Sequence, residues 1–236
     1  MSRLNQAFRP VEDFVSLLFP RICHACGEHL VRNETIICTA CMLDIPKTDF
    51  HIRRENELEK GFWGRCYIDR AAAFALYQRG GKMQKLIHSL KYGGITPIGT
   101  HLGMVYGRIL EESGFTEGID FIIPVPLHKS KERKRGFNQS RVIAEGISVA
   151  TGIEVVADIL VRTVRNPTQT NRSRYGRWEN VDGIFRLKNH ESVENRNILL
   201  VDDVITTGST IEGCVQELKS AINVNVSVIA LATALS

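Results

Sequence analysis

No stretch of this 236-residue chain is both long and apolar enough for a good membrane span. The longest run without a charge, 220–236, has 17 residues and includes Asn223, Asn225 and several Ser/Thr. A spanning helix needs about 20 predominantly apolar residues. A basic-then-apolar leader pattern is also missing, because the short apolar run 14–19 follows Glu12 and Asp13. Together these absences lead us to expect a cytoplasmic protein. Internal repeats and low-complexity tracts are absent. Neither G-x-x-x-x-G-K-[ST] nor G-x-G-x-x-G occurs, which excludes two common phosphate-binding loops. Charge of one sign is scarce overall, at a net +4. Apolar residues at 43% and charged residues at 24% exclude wholesale disorder. At roughly 150 residues per domain, the length fits one large domain, or a medium domain with a small module.

What is there is unevenly placed. Residues 1–66 carry nine Lys/Arg against nine Asp/Glu. Residues 129–141 hold six basic residues and one acid, and 162–177 hold five Arg and no acid. Two basic clusters in a nearly neutral chain point to phosphate-bearing ligands, with a solvated surface as the competing reading.

Four of the six cysteines lie close in sequence: Cys23, Cys26, Cys38 and Cys41. They form two C-x2-C knuckles separated by eleven residues. Two such knuckles supply four thiolates to a tetrahedral metal, and this reads as structural zinc. A redox pair or four ordinary buried thiols are the alternatives. A catalytic zinc is disfavoured, since four thiolates leave no open position. The spacer suggests a short hairpin, with Leu30-Val31 and Thr35-Ile36-Ile37 as strands. Cys214 falls on the apolar face of an expected helix and reads as core, whereas Cys66 has no evident role. Residues 1–50 are then a small zinc-ribbon-like module. The charge-rich stretch 51–66 reads as a linker, and the main domain occupies 67–236.

In that domain, apolar runs at 71–77, 121–123, 198–204 and 226–232 read as strands. Helix spacing is met by Met83, Leu86, Ile87 and Leu90, and by Leu102, Val105, Tyr106, Ile109 and Leu110. It recurs in Val142, Ile143 and Ile147, starting at Asn138, and in Ile211, Cys214, Val215 and Leu218. Alternation of strands and helices predicts a parallel α/β sheet flanked by helices. Ligands of such sheets bind beyond the carboxyl ends of the strands.

Chemically unusual residues sit at those ends. Ile198-Leu199-Leu200-Val201-Asp202-Asp203 delivers two adjacent acids to a strand terminus. Val204-Ile205-Thr206-Thr207-Gly208-Ser209-Thr210 then opens a helix. Backbone N–H groups, hydroxyls and a helix N-terminus make a phosphate cradle. Carboxylates repel a phosphate, so these two suit the hydroxyls of a sugar that carries it. The competing reading is an ordinary helix cap at Ser209 or Thr210. Two acids ending a buried strand carry a desolvation penalty that this reading does not explain.

This segment resembles the phosphoribosyl-pyrophosphate (PRPP) signature of type I phosphoribosyltransferases. Leu86–Gly94, the Ile123-Pro124-Val125-Pro126-Leu127-His128 stretch and Arg135-Gly136-Phe137-Asn138-Gln139 narrow the match. With the cysteine module in front, nearly the whole chain, from about residue 20 to 233, resembles the ComF/GntX (competence protein F-like) family. The resemblance implies a type I phosphoribosyltransferase-like parallel sheet flanked by helices, with a small N-terminal four-cysteine zinc-ribbon module. It implies that Asp202 and Asp203 bind the ribose hydroxyls. Thr206, Thr207, Gly208, Ser209 and Thr210 would hold the 5′-phosphate. Pro126, Leu127, His128, Lys129 and Arg133 would lie along the pyrophosphate. Arg135 would neutralise that leaving group and, with the two acids, serve catalysis. Magnesium would accompany PRPP. Arg162–Arg177, with Thr168-Gln169-Thr170, resembles the loop that closes over such sites.

The implied reaction displaces pyrophosphate from PRPP toward an acceptor the sequence does not name. Thr206 stands where purine-salvage relatives often carry an acid, which argues against purine salvage. The family name implies a role in natural transformation and DNA uptake. The alternative is a non-catalytic PRPP sensor, or a protein that binds single-stranded DNA or DNA-processing partners. Phe137, Tyr175 and Trp178 are the aromatics in or near the basic segments, a thin platform for stacking bases.

Overall fold

A computed structural model describes residues 20–164 and 183–234. Helix α1 (Thr39–Asp44) closes the cysteine segment, and α2 (Glu57–Lys60) precedes strand β1 (Ala71–Leu76). Helices α3 (Lys82–Gly93) and α4 (Thr96–Glu112) lead to β2 (Phe121–Pro124). Helices α5 (Lys129–Arg135) and α6 (Gln139–Thr151) come next. An antiparallel pair, β3 (Leu160–Arg162) and β4 (Phe185–Leu187), then flanks the undescribed segment 165–182. Strand β5 (Asn197–Ile205), helix α7 (Ser209–Leu218) and β6 (Asn225–Thr233) follow.

Four strands form one all-parallel sheet in the order β1-β6-β5-β2. The apolar runs at its centre explain this order. Ile198, Leu199, Leu200 and Val201 of β5 are fully buried, as are Val226, Val228 and Ile229 of β6. Strands buried on both faces need helical cover on both sides, as a doubly wound sheet provides. Cys214 lies in this core.

Two helices pack backbone to backbone on one face. A Cβ on Gly103 of α4 would lie 2.4 Å from the Ile143 carbonyl oxygen of α6. A Cβ on Gly146 would lie 2.3 Å from the Thr100 carbonyl oxygen. Only glycine fits at this crossing. Helix α6 begins where expected: the Asn138 Oδ1 accepts the Ser140 N–H at 3.0 Å, a side-chain N-cap. Asn138 also donates from Nδ2 to the Val125 carbonyl at 3.0 Å, tying the helix start to the end of β2. The start of α6 is thereby brought beside the end of β5.

Two expectations about the N-terminal region give way. Residues 30–31 and 35–37 form no hairpin strands. Glu34 instead accepts the N–H groups of Val31 at 3.0 Å and Thr39 at 2.6 Å, and the Ile36 carbonyl accepts the His24 N–H at 3.1 Å. These contacts satisfy the spacer locally, and the second knuckle runs directly into α1. Stretch 51–66, whose charge suggests a linker, is folded against the sheet. Asn56 caps α2 and donates to the Ala71 carbonyl at 2.9 Å, while Leu58 and Phe62 are buried. A charged sequence hid this packing, because only a few apolar residues in it turn inward.

The basic run 129–135 forms α5, which no apolar periodicity announced. His128 caps its start by accepting the Ser130 N–H at 3.2 Å, and Gly136 ends it in the left-handed region at φ 89°. No helix among the described residues is long and apolar enough to cross a membrane.

Candidate active site and metal centre

The acid pair lies in the C-terminal half of β5, just past the point where its parallel neighbour β2 ends. Val125 N–H donates to the Val201 carbonyl at 2.8 Å, so the turn 126–128 emerges beside Asp202 and Asp203. Asp202 is buried and accepts on Oδ1 from the Ser140 hydroxyl at 3.0 Å and the Asp203 N–H at 2.8 Å. Burial, and then the neighbouring Asp203 charge, push its pKa up to about 7 despite these bonds and the nearby Lys91. Asp203 is also buried. Its Oδ1 faces the Lys91 Nζ at 2.9 Å, and its Oδ2 has no hydrogen-bond partner. A buried carboxylate oxygen without a partner is unstable unless something binds it.

The segment after β5 turns through Thr206, Thr207 and Gly208 into α7. Gly208 is the N-cap, left-handed at φ 76°, and no side chain caps the helix. Ser209 and Thr210 lie inside the helix rather than capping it, so the ordinary-cap reading is not met. The first-turn N–H groups of α7 therefore lack the side-chain partner that a capped helix provides. Thr207 and Ser209 hydroxyls lie 3.2 Å apart on the exposed side.

This loop is braced from the N-terminal region, a feature the sequence did not reveal. Phe62 packs on Gly208 so closely that a Cβ there would meet its ring at 2.8 Å. Arg65 donates to the Thr207 carbonyl at 2.8 Å and pairs with Glu212 of α7 at 2.7 Å. A cavity of about 340 Å³ lies between Phe62 and Arg65 on one side and Thr206, Thr207 and Gly208 on the other.

The basic residues divide. Lys131, Lys134 and Arg135 of α5 line a cavity of about 500 Å³ with Lys91, Tyr92 and Gly93 of α3 and Gly94 at its C-cap. Arg135 sits over the Tyr92 ring at 5.8 Å and donates to the Gln139 Oε1. Lys129 instead borders a smaller cavity with Pro126, Leu127, Asp158 and Arg162. Arg133 is exposed and absent from both linings. His128 is occupied in capping α5. The sequence patterns did not mark Lys91 or Ser140 as site residues, although Lys91 falls inside the family-like segment 86–94. The loop expected around Thr168-Gln169-Thr170 lies outside the described residues, as do Tyr175 and Trp178.

Away from the sheet, the sulfurs of Cys23, Cys26, Cys38 and Cys41 all lie within 4.8 Å of one another, with Cys26 and Cys38 at 3.9 Å. Zinc–sulfur bonds of about 2.3 Å in a tetrahedron set sulfurs about 3.8 Å apart, so the spacing fits. Backbone N–H groups reinforce the set: Cys38 and Ala25 donate to the Cys23 sulfur at 3.3 and 3.4 Å. Burial opposes ionisation of Cys23, but these donors, with Cys26, hold its pKa down at about 6. Burial and the neighbouring sulfurs push the Cys41 thiol up. Four close cysteines can hold a metal such as zinc.

A parallel sheet whose central strand carries paired acids near its end, with a three-residue loop leading into an uncapped helix start, fits a phosphoribosyltransferase-type domain. Residues 130–236 match the phosphoribosyl transferase domain family. The DNA utilization protein YhgH of Escherichia coli O157:H7 is 31% identical over 196 residues, 80% of each chain. Competence protein ComFC of Bacillus subtilis is 24% identical over 81% of this chain and 75% of its own. Competence protein F of Haemophilus influenzae is 36% identical over 38% of this chain and 40% of its own. Among solved structures, glutamine PRPP amidotransferase from B. subtilis overlaps 56% of this chain and 26% of its own, at 22% identity and TM-score 0.39. The chain belongs to the ComF/GntX family.

Proposed function

We propose that this protein binds PRPP at the end of β5 and displaces its pyrophosphate with an acceptor. The observation that carries this reading is Asp203, a buried carboxylate with one oxygen lacking any partner, beside an uncapped helix start. Asp202 and Asp203 would accept from the ribose 2′ and 3′ hydroxyls. The N–H groups at Gly208, Ser209 and Thr210, with the Thr206 and Thr207 hydroxyls, would hold the 5′-phosphate at the positive end of α7. The bond between the anomeric carbon and pyrophosphate breaks as the bond to the acceptor forms. Positive charge builds on the ribose ring, which the nearby carboxylates stabilise electrostatically. Lys131, Lys134 and Arg135, on the cavity beside the acids, would take up the charge of departing pyrophosphate. Magnesium, when bound with PRPP, would add charge neutralisation at the phosphate oxygens. In this reading the cysteine module carries structural zinc.

A second reading, a protein that binds single-stranded DNA or DNA-processing partners and does not turn PRPP over, draws on the names of the relatives and on exposed Lys129, Arg133 and Lys134 of α5. Two measurements separate them. Phosphorus NMR of protein with PRPP, magnesium and a panel of nitrogen acceptors would show pyrophosphate release under the first. Single-stranded DNA binding that falls steeply with salt and survives Asp203→Asn, with no release, would support the second.

A further inference from the structure

Lys91 belongs to two places at once. It lies in the last turn of α3, from which its Nζ reaches the Asp203 Oδ1 at 2.9 Å. It also lines the cavity formed with Lys131, Lys134 and Arg135. With Lys91 in place, the Oδ1 of Asp203 is taken by the ammonium. The other oxygen is buried without a partner. A ribose hydroxyl that takes Oδ1 must displace the ammonium.

We propose that Lys91 is a gate shared by the two halves of the site. It closes on Asp203 in the empty protein and moves to the pyrophosphate when a ribose diol takes the carboxylate. This assignment rests on the PRPP reading and adds a coupling to it. The residue type suits the task. A lysine is a compact charge on a flexible four-carbon stem and exchanges partners easily, whereas an arginine fork would grip the carboxylate at two points. The cavity gives the ammonium a destination among residues positioned for phosphate. A diol that displaces Lys91 frees a cation for pyrophosphate, and pyrophosphate that draws Lys91 away uncovers Asp203. Linkage makes the effect reciprocal.

The test uses ribose 5-phosphate and magnesium pyrophosphate as separate probes. Calorimetric affinities are measured for each alone and with the other saturating, in wild type, Lys91→Met and Lys91→Arg. The coupling between the probes should be about five-fold or more favourable in wild type than in Lys91→Met. Lys91→Met should lose about ten-fold in pyrophosphate affinity, yet bind ribose 5-phosphate at least as well as wild type. Lys91→Arg should keep pyrophosphate affinity and bind ribose 5-phosphate more weakly, which separates the gate from simple loss of fold. Equal coupling in wild type and Lys91→Met, or weaker ribose 5-phosphate binding in Lys91→Met, overturns the gate alone. Wild type that binds ribose 5-phosphate, pyrophosphate and PRPP not at all overturns the PRPP reading and the gate with it.

Discussion

Arg65 and Thr207, 142 residues apart, meet at 2.8 Å: the guanidinium donates to the carbonyl oxygen of the loop between β5 and α7. The Thr207–Gly208 peptide is planar and trans, so fixing its carbonyl on Arg65 turns the Gly208 N–H to the opposite side. The N-terminal region thus sets the orientation of one N–H group of this loop, a donor of the proposed phosphate cradle. Glu212 holds the same guanidinium through its Nε at 3.2 Å and Nη2 at 2.7 Å, which keeps the brace in place.

Arg65→Ala should therefore weaken PRPP binding more than it weakens the fold. The ion pair is partly exposed, so its loss costs about 1 kcal/mol of stability or less. We expect PRPP affinity to fall about ten-fold while the melting temperature falls by no more than roughly 4 °C. Arg65→Lys, which keeps a charge near Glu212 but lacks the fork, should recover only part of the affinity. Calorimetry beside thermal unfolding checks the split, and equal affinity in Arg65→Ala would remove the brace.

Gly146 tests the helix crossing that places α6. An added methyl would meet the Thr100 carbonyl oxygen at 2.3 Å, so Gly146→Ala must push α4 and α6 apart. Overpacking of this kind typically costs about 1–3 kcal/mol. The start of α6 carries Ser140, so the variant should lose PRPP affinity as well as stability. A variant as stable as wild type would show that the crossing is looser than described.

Asp202 should make stability depend on pH in an unusual direction. Its folded pKa is raised to about 7 by burial and the adjacent Asp203 charge, whereas an unfolded Asp titrates near 3.9. Between these values the folded state holds a proton that the unfolded state releases. The contribution is therefore greatest at acidic pH and is lost as pH rises from about 4 to about 7. Asp202→Asn removes the charge, so it should stabilise the protein at pH 8, by on the order of 2 kcal/mol. That gain should shrink toward pH 5. Urea unfolding at several pH values reads this directly, and a gain that grows toward acid would contradict it.

The cysteine centre gives an independent check. Purified protein should hold about one zinc per chain, and Cys23→Ser or Cys41→Ser should abolish it. Residues 46–48 join the module to β1, with the Thr48 N–H donating to the Phe74 carbonyl at 3.0 Å. Metal loss should accordingly expose residues 20–45 to proteolysis first. Fully folded protein without metal would exclude zinc as a structural element.

How much of this was legible in the sequence follows from the range of the interactions. The β5 run Ile198–Val201 and the acids after it are local features, and so is the Asn138 cap, and each appears where the residues place it. Helix α5 left no periodic signal, because it is short, buries none of its residues and is fixed by caps at His128 and Gly136. The hairpin expected between the knuckles failed because Glu34 supplies side-chain partners to the N–H groups of Val31 and Thr39. Lys91 and Arg65 were invisible as site residues for a different reason. Each gains its meaning from a partner more than 100 residues away, and a lysine in a helix pattern or an arginine in a charged stretch looks like any solvated side chain.

The most direct measurement is thermal unfolding of wild type with and without PRPP and magnesium, beside Asp203→Asn. PRPP at 100 times its dissociation constant should add about 2.7 kcal/mol, roughly 5–10 °C in melting temperature. That shift should disappear in Asp203→Asn, whose own fold should persist. No shift in well-folded wild type, or an equal shift in the variant, would contradict a PRPP site at the end of β5.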